Sequence, residues 1–319
     1  MDLKLEDILK ILEDNDNFLI LTHKSPDGDT LGSGFALWNF LKEMGKHANV
    51  ENSDEFPERY DFLYKGYKAE DISYDYVIAV DIADPKLIGG NLGKYQEEGA
   101  VDLCIDHHFS NKCFAKKTYV EPAASAAALI MYKLFKKSGR EISPQVATCL
   151  YTGLATDTGC FKYENTTPEA HIACAELMTL GVPFAKINRS MFDIKSRERI
   201  KVEQSVISNM EFYCKGECAM IALSQKNIEE SGLEPAEFDG LASIPLSVEG
   251  VKIGITAKER HENVYKISVR TTDEIDASAF CREFGGGGHI RASGCEIKGT
   301  LEEVKEKLIK QAQKVLGQD

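Results

Sequence analysis

No apolar run in this chain approaches the roughly 20 residues that a membrane-spanning helix needs. Positive charge is in short supply as well: 38 Lys and Arg stand against 51 Asp and Glu, for a net charge of −13. That excludes a sequence-independent binder of long nucleic acid, which needs a broad basic face to displace counterions. Small phosphorylated substrates stay open, because a metal ion or an Arg cluster reverses the field within one cleft. The nine cysteines form no CxxC pair. Cys214 and Cys218 (CKGEC) have no second His/Cys pair to complete a zinc site, so the cysteines read as reduced thiols. The N-terminal stretch MDLKLEDILKILEDNDNF lacks the basic start and apolar core of a signal peptide. It reads as an acidic amphipathic helix with Leu5, Ile8, Leu9 and Leu12 on one face. A cytoplasmic protein without membrane contact is expected.

What is present suits two ordinary domains: 319 residues, 43% of them hydrophobic. FLILTH (18–23), YDYVIAVDIAD (74–84) and VDLCIDHH (101–108) are near-continuous apolar runs, the signature of parallel strands buried on both faces. Helical patterns alternate with them, through Leu31 to Met44 with Gly45 as a stop, and from about Ala123 to Leu154. Ser143 before Pro144, and Thr167 before Pro168, read as helix N-caps. This predicts an α/β domain with a doubly wound parallel sheet over residues 1–190. A charged helical linker follows over 191–212. Over 213–319 ECAMIALS, VKIGITAKE and VYKISVRT alternate like strands of a mixed sheet, so a smaller α+β domain is expected, with a polyglycine turn, FGGGGHIRASG, and a terminal helix.

Four places in the first domain share one design. FLILTH ends at His23 and runs on into Asp27 and Asp29; YVIAV ends at Asp81; VDLCI ends at Asp106, His107 and His108; the helical run CLYTGLAT ends at Asp157. Any one of these alone is more often structural, since an Asp after a strand caps a helix. Together, at the carboxyl edge of an open α/β sheet, His23, Asp27, Asp29, Asp81, His107 and Asp157 would converge. Four packed carboxylates would not all stay ionised without cations. An imidazole and carboxylate set without thiolate suits Mn²⁺ or a related ion, and paired ions are a recurring arrangement for phosphoryl hydrolysis. One histidine of the pair 107–108 can then ligate metal while its neighbour addresses the substrate. His47, His171 and His261 belong to no such cluster.

THKSPDGDTLGS, VDIAD, IDHH and ATDTG, in this order, resemble the four motifs of the DHH phosphoesterase superfamily, and SVRT with GGGGHIRASG resembles the signature of its DHH-associated C-terminal domain. The chain looks most like the compact two-domain branch, the NrnA-like oligoribonucleases that also act as pAp phosphatases. The resemblance implies two Mn²⁺, with Mg²⁺ or Co²⁺ as alternatives, in a cleft between the domains. One ion would take His23, Asp27 and Asp81; the other Asp29, Asp81, His107 and Asp157, with Asp81 bridging. His108 would approach the scissile phosphate and Asp106 would orient a histidine. In the second domain, Gly286, Gly287 and Gly288 would form an anion nest of backbone N–H groups. Arg270 and His289 would add charged donors, and Arg291 is a further candidate. One departure is Ala128, where relatives often carry a Glu.

The expected activity is hydrolysis of short oligoribonucleotides to mononucleotides and of pAp to AMP. The nearest rival is a stand-alone phosphodiesterase for cyclic di-AMP or pApA, which shares the chemistry. GGGGHIRASG argues against a pyrophosphatase of the DHH type, and a RecJ-type exonuclease would be larger. A catalytically silent nucleotide-binding protein is disfavoured because all six ligand positions are filled. Dimerisation is common among such relatives, but no feature of the sequence requires it.

Overall fold

The computed structural model of the chain describes residues 3–233, 238, 240–272 and 274–318. The chain divides into two compact units, one running to Ile194 and the other beginning at Lys195.

The first unit is built in chain order from α1 (Leu5–Asp14), β1 (Phe18–Leu21), α2 (Gly28–Glu43), β2 (Ala48–Glu51), β3 (Tyr76–Val80), β4 (Leu103–Asp106), β5 (Lys117–Val120), α3 (Ala127–Lys137), α4 (Pro144–Asp157), α5 (Pro168–Thr179) and α6 (Phe184–Asn188). The five strands are all parallel, in the order β2-β1-β3-β4-β5. β1 has neighbours on both sides and is entirely buried, which is why its sequence is a continuous apolar run. Strand order reverses between β1 and β3, so a crevice opens at their carboxyl ends. One sheet face carries Phe18, Ile20, Ile78, Val80, Leu103 and Ile105 into a core shared with the helices. The other carries Leu19, Leu21, Val77, Ala79 and Cys104 against Ile88, Leu92 and Tyr95, which lie on or beside short 3₁₀ turns. The Pro- and Gly-containing link DPKLIGGNLGKY does not support a full α-helix there.

α2 is buried along most of its length. Small residues allow this: a Cβ on Gly32 would fall 2.6 Å from the Cys149 carbonyl of α4, and one on Gly153 of α4 would fall 2.6 Å from the Ala128 methyl and 2.7 Å from Asp29 Oδ1. Ala128 is fully buried at this contact, so a Glu side chain has no room there. Gly153→Ala should therefore destabilise the unit despite the better helix propensity of Ala. Overpacking costs about 1–3 kcal/mol, against about 1 kcal/mol recovered from propensity. Thermal melts should show a lower Tm than the Gly93→Ala control, where an added methyl meets nothing within 4 Å.

The second unit comprises α7 (Arg197–Ser208), β6 (Glu211–Tyr213), β7 (Cys218–Leu223), α8 (Gln225–Ser231), β8 (Ile253–His261), β9 (Val264–Thr271), α9 (Ala277–Arg282), β10 (Gly287–Gly288), β11 (Ala292–Lys298) and α10 (Leu301–Leu316). Its sheet is mixed, in the order β10-β11-β9-β8-β7-β6, with only β7 and β8 parallel. α7 lies in the segment read from sequence as a linker; it packs Val202 and Val206 with Ile221, Leu223 and Leu241. No helix among the described residues is long and apolar enough to cross a membrane.

Candidate metal centre

Each expected ligand sits where an element of the first unit ends or begins. His23 follows β1, Asp81 follows β3, and Asp106, His107 and His108 close β4. Asp27 is not a loop residue but the N-cap of α2, accepting from the Asp29 and Thr30 amides at 2.9 and 3.1 Å. Asp29 lies in the first turn of that helix. The N-cap residue of α3, Ala126, offers no side-chain cap. Asp29 supplies it, accepting from the Ala127 and Ala128 amides at 2.6 and 3.0 Å. Two helix N-termini thus hold two carboxylates beside the sheet edge, where partial positive charge favours them. Asp157 is the last residue of α4.

The histidines show what the cluster is arranged to hold. His23 Nδ1 lies 2.9 Å from the Lys24 carbonyl and His107 Nδ1 lies 3.1 Å from the Ala124 carbonyl. A carbonyl only accepts, so both rings donate from Nδ1 and turn Nε2 inward. His23 Nε2 then faces Asp27 and Asp81, each at 3.7 Å. His107 Nε2 faces Asp29, Asp81 and Asp157 at 3.9, 3.6 and 3.7 Å. These separations are too long for hydrogen bonds. They match donors sharing an ion, since two atoms each roughly 2.0–2.2 Å from one cation lie up to about 4 Å apart. His23, Asp27 and Asp81 form one such group, Asp29, His107 and Asp157 another, and Asp81 also groups with His107 and His108.

Asp81 is the residue common to both sides of the site, and its backbone is strained: φ is +60°, in the left-handed region that non-glycine residues rarely adopt. Its Oδ1 is buried with no hydrogen-bond partner. Burial and the charges of Asp29, Asp27, Asp106 and Asp157 push its pKa well above the usual carboxylate range. Asp157 is pushed up to about 8 by burial and by Asp29 and Asp27. A cluster of reluctant carboxylates, an orphaned buried oxygen and inward-facing imidazole nitrogens is a donor set that suits divalent metal.

His108 differs from the other two histidines. Its side chain is 39% exposed, against 16% for His23 and 12% for His107. Its Nδ1 bonds the fully buried Asp106 at 2.8 Å. Asp106 also accepts from the His107 amide at 2.8 Å and from Asn111 Nδ2 at 2.6 Å. Burial raises the Asp106 pKa, but the bonds from His108 and Asn111 overcome it and hold Asp106 ionised. Asp106 in turn raises the His108 pKa. Sequence reading missed Asn111, and also Asn165, whose Nδ2 donates to Asp157 Oδ2 at 3.2 Å. Asn111 had a local signal, an Asx turn onto the Cys113 amide. Asn165 had none.

In the second unit Arg270 stands on β9 opposite Ala292 of β11 and Gly254 of β8. The glycine tract is a hairpin rather than an open turn: Gly287 pairs with Gly294 and Gly288 with Ser293. The amides of Gly286 and His289 are already bonded, to the Cys281 and Ala292 carbonyls, which leaves less of a nest than four free glycines would make. A Cβ on Gly288 would lie 2.8 Å from the Ala292 carbonyl, at a φ of +147°. His289 is exposed. Arg291 donates from one guanidinium nitrogen to the Thr272 and Ile275 carbonyls, both at 2.9 Å, and so braces the loop after β9.

Residues 17–154 match the DHH family, N-terminal domain, and residues 218–318 match the DHHA1 domain. The chain is 31% identical to the bifunctional oligoribonuclease and PAP phosphatase NrnA of Thermus thermophilus, over 91% of this chain and 89% of that one. It is 23% identical to the protein of the same description from Bacillus subtilis, over 91% and 92%. Cyclic-di-AMP phosphodiesterase PdeA of Listeria monocytogenes is also 23% identical, but only 48% of its length is covered. An exopolyphosphatase-related protein from Bacteroides fragilis superposes with a TM-score of 0.87 at 28% identity, covering 97% of this chain and 95% of that one.

Proposed function

Because the chain belongs to the DHH family of phosphoesterases, we propose that it hydrolyses phosphoester bonds in short oligoribonucleotides and in pAp, using two Mn²⁺ ions held at the carboxyl edge of its parallel sheet. The relatives from Thermus thermophilus and Bacillus subtilis, matched over about nine tenths of their length, are described as bifunctional oligoribonucleases and PAP phosphatases. The observation that carries the metal reading is the pair of imidazole Nε2 atoms converging on carboxylates at 3.6–3.9 Å, beyond hydrogen-bond range.

His23, Asp27 and Asp81 would hold one ion, and Asp29, Asp81, His107 and Asp157 the other. Bound there, divalent cations supply charge compensation for phosphoryl oxygens and lower the pKa of a water nucleophile. The chain's own residues do the rest. Asp106 fixes the His108 ring through Nδ1 and favours its charged form, which leaves Nε2–H to donate to a phosphoryl oxygen as negative charge builds there. Water adds to phosphorus while the bond to the departing nucleoside oxygen breaks. RNA then yields a mononucleotide and a shortened strand, and pAp yields AMP and orthophosphate. Arg270, Gly286, Gly287, Gly288 and His289 are proposed to hold one end of the substrate, with Arg291 acting through the loop it braces. The acidic exterior favours substrates of a few nucleotides over long strands. Nine unpaired thiols fit a reducing, cytoplasmic location. The mechanism needs no second copy, although a homodimer is common among such relatives.

Product analysis tests this directly. With Mn²⁺, the chain should release AMP from pAp and mononucleotides from pApA and a five-nucleotide RNA, and chelation should stop both. Turnover confined to cyclic di-AMP and pApA would move the protein to nucleotide signalling, and turnover of pyrophosphate alone would overturn the reading.

A further inference from the structure

Phe109, the residue after His108, is 93% exposed, more than any other large apolar side chain among the described residues. Its backbone, in contrast, is held on both sides. The Asn111 amide donates to the His108 carbonyl at 3.1 Å, Asn111 Nδ2 reaches Asp106 at 2.6 Å and the Ile82 carbonyl at 3.2 Å, and the Lys112 amide bonds the Ala83 carbonyl at 2.9 Å. The turn is therefore fixed to the same carboxylate that orients His108, and at its apex it presents an aromatic ring to water. A polar residue would serve such a turn at least as well. Tyr163, the other strongly exposed aromatic near a site residue, has a structural seat: a Cβ on Gly159 would run into its ring. Phe109 has no such seat.

We propose that Phe109 is a nucleobase platform, on which the base attached to the phosphate handled by His108 stacks. This rests on the nucleotide phosphoesterase reading above. Adjacent Cα atoms are about 3.8 Å apart, so the ring leaves the backbone one residue from the imidazole that would address the phosphate, and a nucleotide is long enough to reach both. Every base has a π face, so stacking binds without selecting sequence. That suits an enzyme that must accept each successive end of a short RNA. A fixed turn also means little ordering is required when the base arrives.

Phe109→Ala should raise KM for pAp and pApA roughly ten-fold, within the span expected for loss of one stacked base, with kcat changed less than about two-fold. The abasic counterpart of pAp should show no change in KM, and Phe109→Trp should restore the wild-type value. Added AMP should quench the fluorescence of Phe109→Trp, and not that of wild type, whose single tryptophan is Trp38. Wild-type KM for pAp in Phe109→Ala, an equal loss on the abasic substrate, or an unquenched Phe109→Trp would each overturn the proposal. If wild type turns over no nucleotide, the phosphoesterase reading fails, and the quenching experiment still decides whether a base stacks on this ring. Ile172→Ala, an exposed apolar residue on α5, serves as the control.

Discussion

Asp81→Asn should abolish phosphoester hydrolysis while leaving the metal-free protein as stable as wild type or more so. The two effects have one cause. Asp81 occupies a left-handed backbone conformation, with φ of +60°, and Asn is among the few side chains that tolerate it. The substitution keeps shape and hydrogen-bonding reach but removes a carboxyl whose ionisation is opposed by burial and by Asp29, Asp27, Asp106 and Asp157. In the metal-free chain that ionisation costs stability, and an amide avoids it. Under the proposed two-ion arrangement Asp81 would be the carboxylate shared between both sides of the site, so its loss should cost at least about 10³-fold in kcat/KM, at or beyond the range for one oxyanion donor. Activity on pAp, together with melts in chelator, checks both halves. An Asp81→Asn protein that hydrolyses normally, or one that melts well below wild type, would contradict the role given to Asp81.

Metal-free wild type should lose stability as pH rises from about 4 to 8, and a divalent cation should remove that loss. Asp81 and Asp29 have raised pKa values in the native chain, and Asp157 titrates near 8, whereas an unfolded Asp releases its proton near pH 4. Between those limits the native chain binds more protons than the unfolded one, and stability falls as pH climbs. His108 is raised mainly by Asp106; His23 is lowered by burial and more than restored by Asp27. Their contribution is present below about pH 6.5 and is lost as pH passes through their higher native values, which is the same sign. Asp106 is held low, so its contribution is lost only in acid and leaves this window unaffected. Protons compete with the cation for these ligands, so Mn²⁺ should stabilise more at pH 8 than at pH 6. At 100 times Kd, one site contributes about 2.7 kcal/mol, or roughly 5–10 °C for a unit of this size. Trp38 lies in α2, so its fluorescence follows the unit that holds the site. A cation-induced rise in Tm that is flat with pH, or no rise, would argue against carboxylate and imidazole ligation.

The ends of β1, β3 and β4 were legible because each buried apolar run stops at a group that binds a proton or a metal. Ser143 and Thr167 cap α4 and α5 as their spacing with Pro predicts. What the pattern hid lay in long-range contacts. An Asp after a strand is readable as a helix cap, and Asp27 caps α2; Asp29 caps α3, about a hundred residues away in the chain, and no local signal encodes that. Asn165 reaches Asp157 only through the turn after α4. The edge strands β2 (ANVE) and β5 (KTYV) carry too few apolar residues to stand out. The glycine tract reads as an open turn that forms an anion nest, whereas Gly286 and Gly288 serve close packing against β11. Family resemblance supplied the division of ligands between two ions, which spacing alone would not have given.

Anomalous scattering at the manganese edge, from crystals of the full chain grown with Mn²⁺, is the most direct measurement. Two peaks are expected, one bounded by His23, Asp27 and Asp81, the other by Asp29, Asp81, His107 and Asp157. No peak in this cluster, or manganese bound only elsewhere, would contradict the two-cation site and the chemistry built on it.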